Sequence, residues 1–565
     1  MTDRLGIDFG TANTVVARWN DATGTGEAIP LSGVEVVRDV GNLQRVVPSL
    51  IAYSAVDERR WVGAQVTPAL RASDGVRVFR STKTSVAGRV VDLPRQVGQR
   101  RITAARAAAD FLGDVMTLAR LETGTEAELV LTAPVESFDP YRDWLVREVG
   151  ADLDRLRIVD EATAAAAGYG AKLKPGDVFG VFDFGAGTLD ISVVSVVDPD
   201  GPPPSPDARP GADRGSAGGG PPLAAGPADG RRQPTRLSGC GVRVISKVGI
   251  DLGGDHIDAL LADEVARLTG LAEADASVHN RVFAELLTAA EAAKVALTTA
   301  ESAVVAAVDP LTGREWRADV SRDRFTSLLR DNDILGRIGR AFRKTLDAAA
   351  AKGHPADSLR HLFLVGGSSL LPPVRELLSF QIDPGLLRLD RPLEAVAAGA
   401  AAIASGHDPV DFVQHDYAIR HVSQTTGGYE FEPVVPAGTD YPSTEPVASL
   451  TIKGVHEGQT RLGLAIYETA HASTRDTAAG LEIMFDTSGG ARTVAVSPQR
   501  RTELSQVWLN EEQLTFLKAE PPARAGIDRF RLEFHVDAQK RLTVSAFDLE
   551  RRIWVLDRQP VVGLA

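Results

Sequence analysis

An α/β architecture followed by an all-β module is the fold class that this sequence predicts, on three observations. Up to residue 406, short β-branched runs interleave with helix-spaced segments. The strand–turn–strand text GIDFGTANTVVARW near the start is echoed by VFDFGAGTLDISVV in the middle, one motif occurring twice. Beyond Tyr417, short strands and turns take over, with no convincing long helix.

Bulk properties bound the rest. A chain of 565 residues, 44% hydrophobic and 24% charged, has an ordinary globular balance and, at roughly 150 residues per domain, holds about two to four folded units. The net charge of −13 gives no global field that attracts nucleic acid or anionic lipid, so neither is expected as a partner. One cysteine, Cys240, excludes an intramolecular disulfide and a multi-cysteine zinc site. MTDRLGIDFG carries no secretory signal, and the alanine-rich run Ala395–Ala404 is far too short to cross a bilayer. A cytoplasmic location is expected.

Taken in order, Leu5–Phe9 and Thr14–Trp19 read as strands around the tight stretch GTAN, and GVEVV, VVPSLIAY and RWVGA continue the β pattern. Thr103–Thr123 and Tyr141–Gly150 have helical spacing and bracket the strand ELVLTAP. Gly180–Val197 is strand-like. Residues 198–238 are dense in Pro, Gly and Ala and hold no aromatic side chain, which predicts a disordered insertion. VRVISKV beyond it is the expected partner strand, so the insertion expands a hairpin loop. Helices are expected over Gly254–Thr269, Val278–Ala300 and Leu393–Ser405, with a strand at HLFLV. The polar residues 407–416 are the expected linker between a domain over 1–406 and another over 417–565. In the latter, ASLTIKG, RLGLAIYE, LEIMFD, RFRLEFHVD and RLTVSAFD read as strands, 469–480 as a loop, and Glu503–Leu517 as the one stretch of helical character.

The repeat has chemical content. In each copy an apolar strand delivers an Asp, Phe-Gly and small or hydroxyl-bearing residues make a tight turn, and a second apolar strand departs. A glycine-containing turn lets backbone N–H groups converge on phosphate oxygens, and Thr11 and Thr188 add hydroxyl donors. Asp8 and Asp183 at the strand ends can hold a hydrated Mg²⁺, which takes one or two carboxylates plus substrate phosphates. One such hairpin alone is ordinarily just a turn. Two of them, 175 residues apart, point to facing phosphate loops.

GIDFGTANT, VFDFGAGTLD and LVGGSSLLP resemble the two phosphate motifs and the adenosine motif of the actin-like ATPase superfamily. RIVDEATAAAAGYG, LGGDHID and the β-rich C-terminal region narrow the resemblance to the seventy-kilodalton heat-shock, DnaK-like family. It implies a two-lobed actin-like, ribonuclease-H-like ATPase domain followed by an all-β sandwich domain. By similarity, Asp8 and Asp183 would organise Mg²⁺ through water. Gly10, Thr11, Ala12 and Asn13 would wrap the distal phosphates of ATP or ADP, and Gly185, Ala186, Gly187 and Thr188 would close the other side. Lys83, in VFRSTKTSVAGR, falls where the family places a lysine beside the γ-phosphate, and Glu161 where it places the acid that arranges metal and attacking water. Both are electrostatic positioning roles, which suits phosphoryl transfer. Glu291, Lys294 and Thr298 would face the nucleoside from one side of a helix, with Gly366, Gly367 and Ser368 in a turn against the ribose. Asp190 is a weaker candidate that can simply anchor its hairpin.

Several positions depart from the family pattern. Val295 and Leu370 stand where two arginines commonly flank adenine, which predicts weaker or altered nucleotide affinity. Ala186 replaces a glycine and would cost about 1 kcal/mol if that position needs positive φ. Ala162 replaces a proline tied to interdomain signalling, and the linker lacks a leucine-rich run. The C-terminal region resembles a peptide-binding β-sandwich that holds extended apolar segments of unfolded polypeptide, and a helical lid is not expected after it. The resemblance therefore implies a chaperone whose ATP hydrolysis is coupled to client binding, working with a co-chaperone or nucleotide-exchange factor. Two alternatives stay open: an ATP-binding scaffold or sensor with weak hydrolysis, and a small-molecule kinase of the same superfamily. The histidines, His256, His361, His415 and His421 among them, lack ligand spacing and are expected to be surface or satisfied core residues. Trp61, Trp144 and Trp316 are expected in packing roles.

Overall fold

Two hairpins of the same design sit at the centres of two sheets. A computed structural model describes residues 3–71, 73, 75–87, 93–123, 127–149, 156–170, 173–197, 241–422, 428–469, 481–487, 490–495, 506–510, 515–537 and 540–564. Asp3–Phe9 runs antiparallel to Asn13–Asn20 and parallel to Ala127–Ala133, which pairs in parallel with Leu156–Asp160. Val178–Phe184 likewise runs antiparallel to Leu189–Val197 and parallel to Leu359–Val365. Every residue of Val178–Phe184 is buried, as a strand covered on both faces requires. Parallel pairing forces crossover connections, and these supply the covering helices.

In the first lobe the helix Ala104–Thr123 buries Ala107, Phe111, Leu112 and Val115 at helical spacing in the core that holds Ile7 and Phe9. In the second lobe Gly254–Thr269 and Ala276–Ala296 cover the other sheet with Ile257, Leu261, Phe283 and Leu286. Gly270, at φ 77°, ends the first of these helices in the left-handed conformation. Between the lobes lie the helices Glu161–Gly170 and Ala395–Ala404, both rich in alanine. A Cβ on Gly399 would stand 1.7 Å from Ala164 O, so the two backbones are in direct contact and only glycine fits there.

The C-terminal region is a sandwich. A sheet ordered Tyr429–Val435, Asp416–Val422, Gln459–Thr469, Gln506–Trp508, with Thr515–Ala523 also on Gln459–Thr469, faces a sheet ordered Ala448–Lys453, Asp528–Val536, Arg541–Asp548, Ile553–Gly563. Leu462, Leu464 and Ile466 from the first meet Phe530, Leu532 and Phe534 from the second in one core. The architecture is thus the α/β-then-sandwich class expected.

Several elements differ from the sequence reading. Helix Val278–Ala300 is observed as Ala276–Ala296 and ends before Thr298. Arg322–Asp331, Ile334–Ala351, Pro372–Ser379 and Glu161–Gly170 are further helices. The described parts of Glu503–Leu517 lie in the strands Gln506–Trp508 and Thr515–Ala523, with a turn at Leu509–Asn510, so tertiary pairing overrides the helical spacing. Gly241–Ile250 does pair antiparallel with Leu189–Val197. The insertion 198–238, Cys240 and loop residues 470–480 lie outside the described residues. In the stretch 407–416, Asp411, Val413 and His415 are buried. No described helix is long and apolar enough to cross a membrane.

Candidate functional site

The two glycine turns meet. A Cβ placed on Gly187 would lie 2.6 Å from Thr11 Oγ1 and 3.4 Å from Thr84 Oγ1, so the second loop presses directly on the Thr11 side chain of the first. Each turn is pinned from behind. Ser49 Oγ donates to Gly10 O at 2.7 Å and Ser49 N–H to Ala12 O at 2.8 Å, while Asn13 begins the second strand. On the other side, Gly185 N–H bonds Thr188 O at 3.1 Å. Gly254 N–H donates to Gly185 O at 3.0 Å, and Asp255 N–H to Ala186 O at 2.8 Å. Ala186 is not among the positive-φ residues, so the strain contingent on that conformation does not arise.

Beneath the turns lies a buried charge cluster. Asp8 and Asp183 end their central strands one residue before the closing Phe, and Glu161 opens its helix directly after Asp160. Lys83 Nζ donates to Glu161 Oε1, and Thr132 Oγ1 donates to Asp8 at 3.1 Å. Burial and then the charge of Glu161 push Asp8 up to about 7, against Lys83 and Thr132. Burial, Glu161, Asp8 and Asp190 raise Asp183 well above the usual carboxylate range. Asp190, cross-strand from Asp183, is raised by burial and Glu161. It also accepts from Val135 N–H at 2.9 Å, a contact to the segment that follows Ala127–Ala133 of the first lobe and not one within its own hairpin. For Lys83, burial works against the charge, but Glu161, Tyr141 and Asp8 outweigh it and hold the ammonium above its ordinary value. The carboxyl groups outnumber Lys83, and a divalent cation among them would favour their ionised forms. No three His, Cys, Asp or Glu side chains among the described residues form a direct metal cage.

A second group forms the adjoining wall. Lys294 Nζ donates to Asp258 Oδ2 at 2.8 Å and to Gly254 O at 3.1 Å. Ser368 Oγ donates to Gly185 O at 2.8 Å. A Cβ on Gly254 would be 2.7 Å from both Lys294 Nζ and Ser368 Oγ. Gly366, at φ 77°, brings the turn so near Phe184 O, 2.3 Å from an added Cβ, and Asp183 Oδ1, 2.8 Å, that no side chain fits. Gly367 is open, with only Leu393 near its Cβ position at 3.9 Å. Glu291 lies on the same helix as Lys294 but pairs with Arg80 of the first lobe at 3.0 Å.

Thr298 is not brought to this group by its hydroxyl, which bonds Val295 O at 2.7 Å just past the helix end. The i, i+7 spacing to Glu291 therefore does not place it on the helix face. Val295 is 58% exposed and Leu370 half-buried. Sequence reasoning missed Arg80, Asp258, Thr132 and Tyr141. Of these, Arg80 had a signal, its place three residues before Lys83 in VFRSTKTSVAGR.

His415, expected on the surface or in a satisfied core, is a fully buried bridge. Its Nδ1 lies 2.8 Å from Glu468 and its Nε2 3.4 Å from Glu136. Nearby, Lys247 Nζ joins Asp160 at 2.6 Å and Asp411 at 2.9 Å, and Lys540 of the sandwich lies 3.8 Å from Asp160.

The sequence is similar to that of known proteins. A family model described as Hsp70 protein matches residues 94–199 and 243–482. The chain is 28% identical over 574 residues to "Chaperone protein HscA homolog" of Variovorax paradoxus (strain S110), covering 96% of this chain and 75% of that protein. It is 27% identical over 568 residues to "Chaperone protein HscA" of Escherichia coli (strain K12 / DH10B), covering 96% and 76%. With most of its length inside the family match, the chain belongs to the Hsp70 family.

Proposed function

We propose that this Hsp70-family chaperone binds ATP with Mg²⁺ between its two lobes, hydrolyses it, and couples the nucleotide state to binding of unfolded polypeptide by the C-terminal sandwich. The approach of Gly187 to Thr11 above the Lys83–Glu161 pair carries the reading. Asp8 and Asp183 would hold the ion through water, and Mg²⁺ when bound supplies charge neutralisation for the phosphates. Backbone N–H groups of Gly10–Asn13 and Ala186–Thr188 bind and orient the phosphate oxygens, Gly185 closes its turn, and Thr11 and Thr188 contribute hydroxyls. Lys83 sets positive charge at the distal phosphate, and Glu161, held by Lys83, orients the attacking water. Glu291, Lys294, Gly366, Gly367 and Ser368 form the nucleoside wall, and Thr298 stands at its margin.

The proposed division is 1–406 for the ATPase domain, 407–416 for the linker and 417–565 for the sandwich, in a cytoplasmic protein that works with a co-chaperone or exchange factor. The names of the matched relatives support the chaperone role. Val295 and Leu370, in place of adenine-flanking arginines, favour a second reading, an ATP-binding sensor with weak hydrolysis. Steady-state ATP turnover with and without an unfolded polypeptide, alongside Asp183→Ala, separates the two. Stimulated turnover that the substitution abolishes supports the chaperone, and binding without turnover supports the sensor.

A further inference from the structure

The strands Leu481–Phe485 and Ala491–Ala495 pair only with each other among the described residues. They fall between strands of the C-terminal sandwich in sequence, yet they lie against the ATPase lobes. A two-stranded hairpin is marginal by itself in water, so its order comes from what it covers. On the second lobe, Ala491 is fully buried in the lobe core, and Ile483 and Phe485 pack against that core. Asn280 Nδ2 donates to Asp486 at 3.2 Å, and Thr493 Oγ1 to Asp263 at 3.1 Å. On the first lobe, Gln96 N–H donates to Thr487 O at 2.9 Å. The Arg95 guanidinium lies 4.0 Å from the Phe485 ring centre and 4.4 Å from that of Phe79, a cation stacked between a lobe ring and a hairpin ring.

These contacts sit on the rims of the cleft. Arg80, next to Phe79, already crosses to Thr288 and Glu291 of the helix Ala276–Ala296. Lys294, near one end of that helix, borders the glycine turns, and Asn280, near the other end, meets the hairpin. At 1.5 Å per residue the two are roughly 20 Å apart. The hairpin therefore joins both lobes at the outer end of the wall whose inner end lines the site.

We propose that this hairpin is a built-in clasp that holds the lobe tips together and slows release of nucleotide from the cleft. The slowed release rests on the proposed nucleotide binding; the joining of the lobe tips does not. Lobe opening has to break the Arg95–Phe485 stack and the Gln96–Thr487 bond, or pull the hairpin out of the second lobe's core.

Two substitutions remote from the site test it in the full chain. At Gly490 a Cβ would lie 2.9 Å from Asn280 Cβ and 3.0 Å from its carbonyl carbon, so Gly490→Leu pushes the hairpin off the helix. Phe485→Ala removes the stacked ring. With Cys240→Ser and spin labels at the exposed positions Val56 and Leu311, the nucleotide-free parent should give a narrow interlobe distance distribution and both variants a broader, longer one. Release of pre-bound ADP carrying a fluorescent methylanthraniloyl group should accelerate about tenfold or more, the equivalent of losing about 1.4 kcal/mol. Unchanged distances overturn the clasp, and unchanged release overturns its effect on nucleotide. A parent that binds no nucleotide refutes the ATP reading while the distance measurement still judges the clasp.

Discussion

Lys83 and Glu161, 78 residues apart in the chain, are hydrogen-bonded to each other with almost no solvent exposure. The pair places one ammonium against Glu161, Asp8, Asp183 and Asp190, so its removal leaves buried carboxylates uncompensated.

Lys83→Met should lower stability by about 3–5 kcal/mol, the usual loss when one member of a buried ion pair is deleted. The double variant Lys83→Met/Glu161→Gln should regain most of that in urea unfolding. ATP turnover should fall about 100-fold or more in both. Strictly additive stability losses would show that the two side chains do not act as a pair.

Gly187→Ala tests the approach of the loops. Gly187 has no left-handed φ, so the new methyl group meets only the steric conflict with Thr11 Oγ1 at 2.6 Å. Overpacking costs about 1–3 kcal/mol, which predicts a loss of that size in urea unfolding of the nucleotide-free protein. Parent-like stability would mean that the loops yield to the methyl group without cost.

His415 sets a pH dependence. Burial opposes its charge, but Glu136 and Glu468 outweigh burial and raise it from 6.5 to about 9. Phe138 flanks the ring, Tyr417 OH donates to Glu468, and Gln414 donates to Glu136. Because the folded state holds the proton more tightly, the contribution is complete below about pH 6.5 and disappears as pH rises through about 9. Its ceiling is about 3 kcal/mol. Urea unfolding at pH 6 and pH 9.5 should show this slope, and His415→Gln should flatten it. The same slope in both proteins would assign it to other groups.

Gly399→Ala should destabilise strongly, since its methyl group would stand 1.7 Å from Ala164 O and backbone cannot rotate away. Gly113→Ala is the control. Nothing lies within 4 Å of its Cβ position in the helix Ala104–Thr123, and a gain of about 0.5–1 kcal/mol is expected. Thermal unfolding should move the two in opposite directions.

What was legible in the sequence was local. Asp8-Phe9-Gly10 and Asp183-Phe184-Gly185 announce strand, turn and carboxylate within a few residues, and the helix Gly254–Thr269 appears with the expected bounds. What stayed hidden depends on distant partners. Residues 407–416 read as a polar tether because nothing nearby shows that Asp411 meets Lys247, 164 residues away, or that Gln414 meets Glu136 across 278 residues. A buried polar group looks like a surface group until its partner is known. Thr298 was placed by extending a helical period past the point where the helix stops. The lobe-spanning role of LEIMFD was equally invisible, since its alternation fits any half-covered strand and does not say what covers it.

Asp160 and Glu161 are neighbours in sequence, joined by one peptide unit where a strand becomes a helix. The first is gripped by Arg142 and Lys247 and approached by Lys540; the second faces the glycine turns. One planar peptide unit is all the chain that separates their two Cα atoms. If the proposed nucleotide binding displaces Glu161, the movement starts one residue from the ionic knot at Asp160, which the sandwich's Lys540 also reaches.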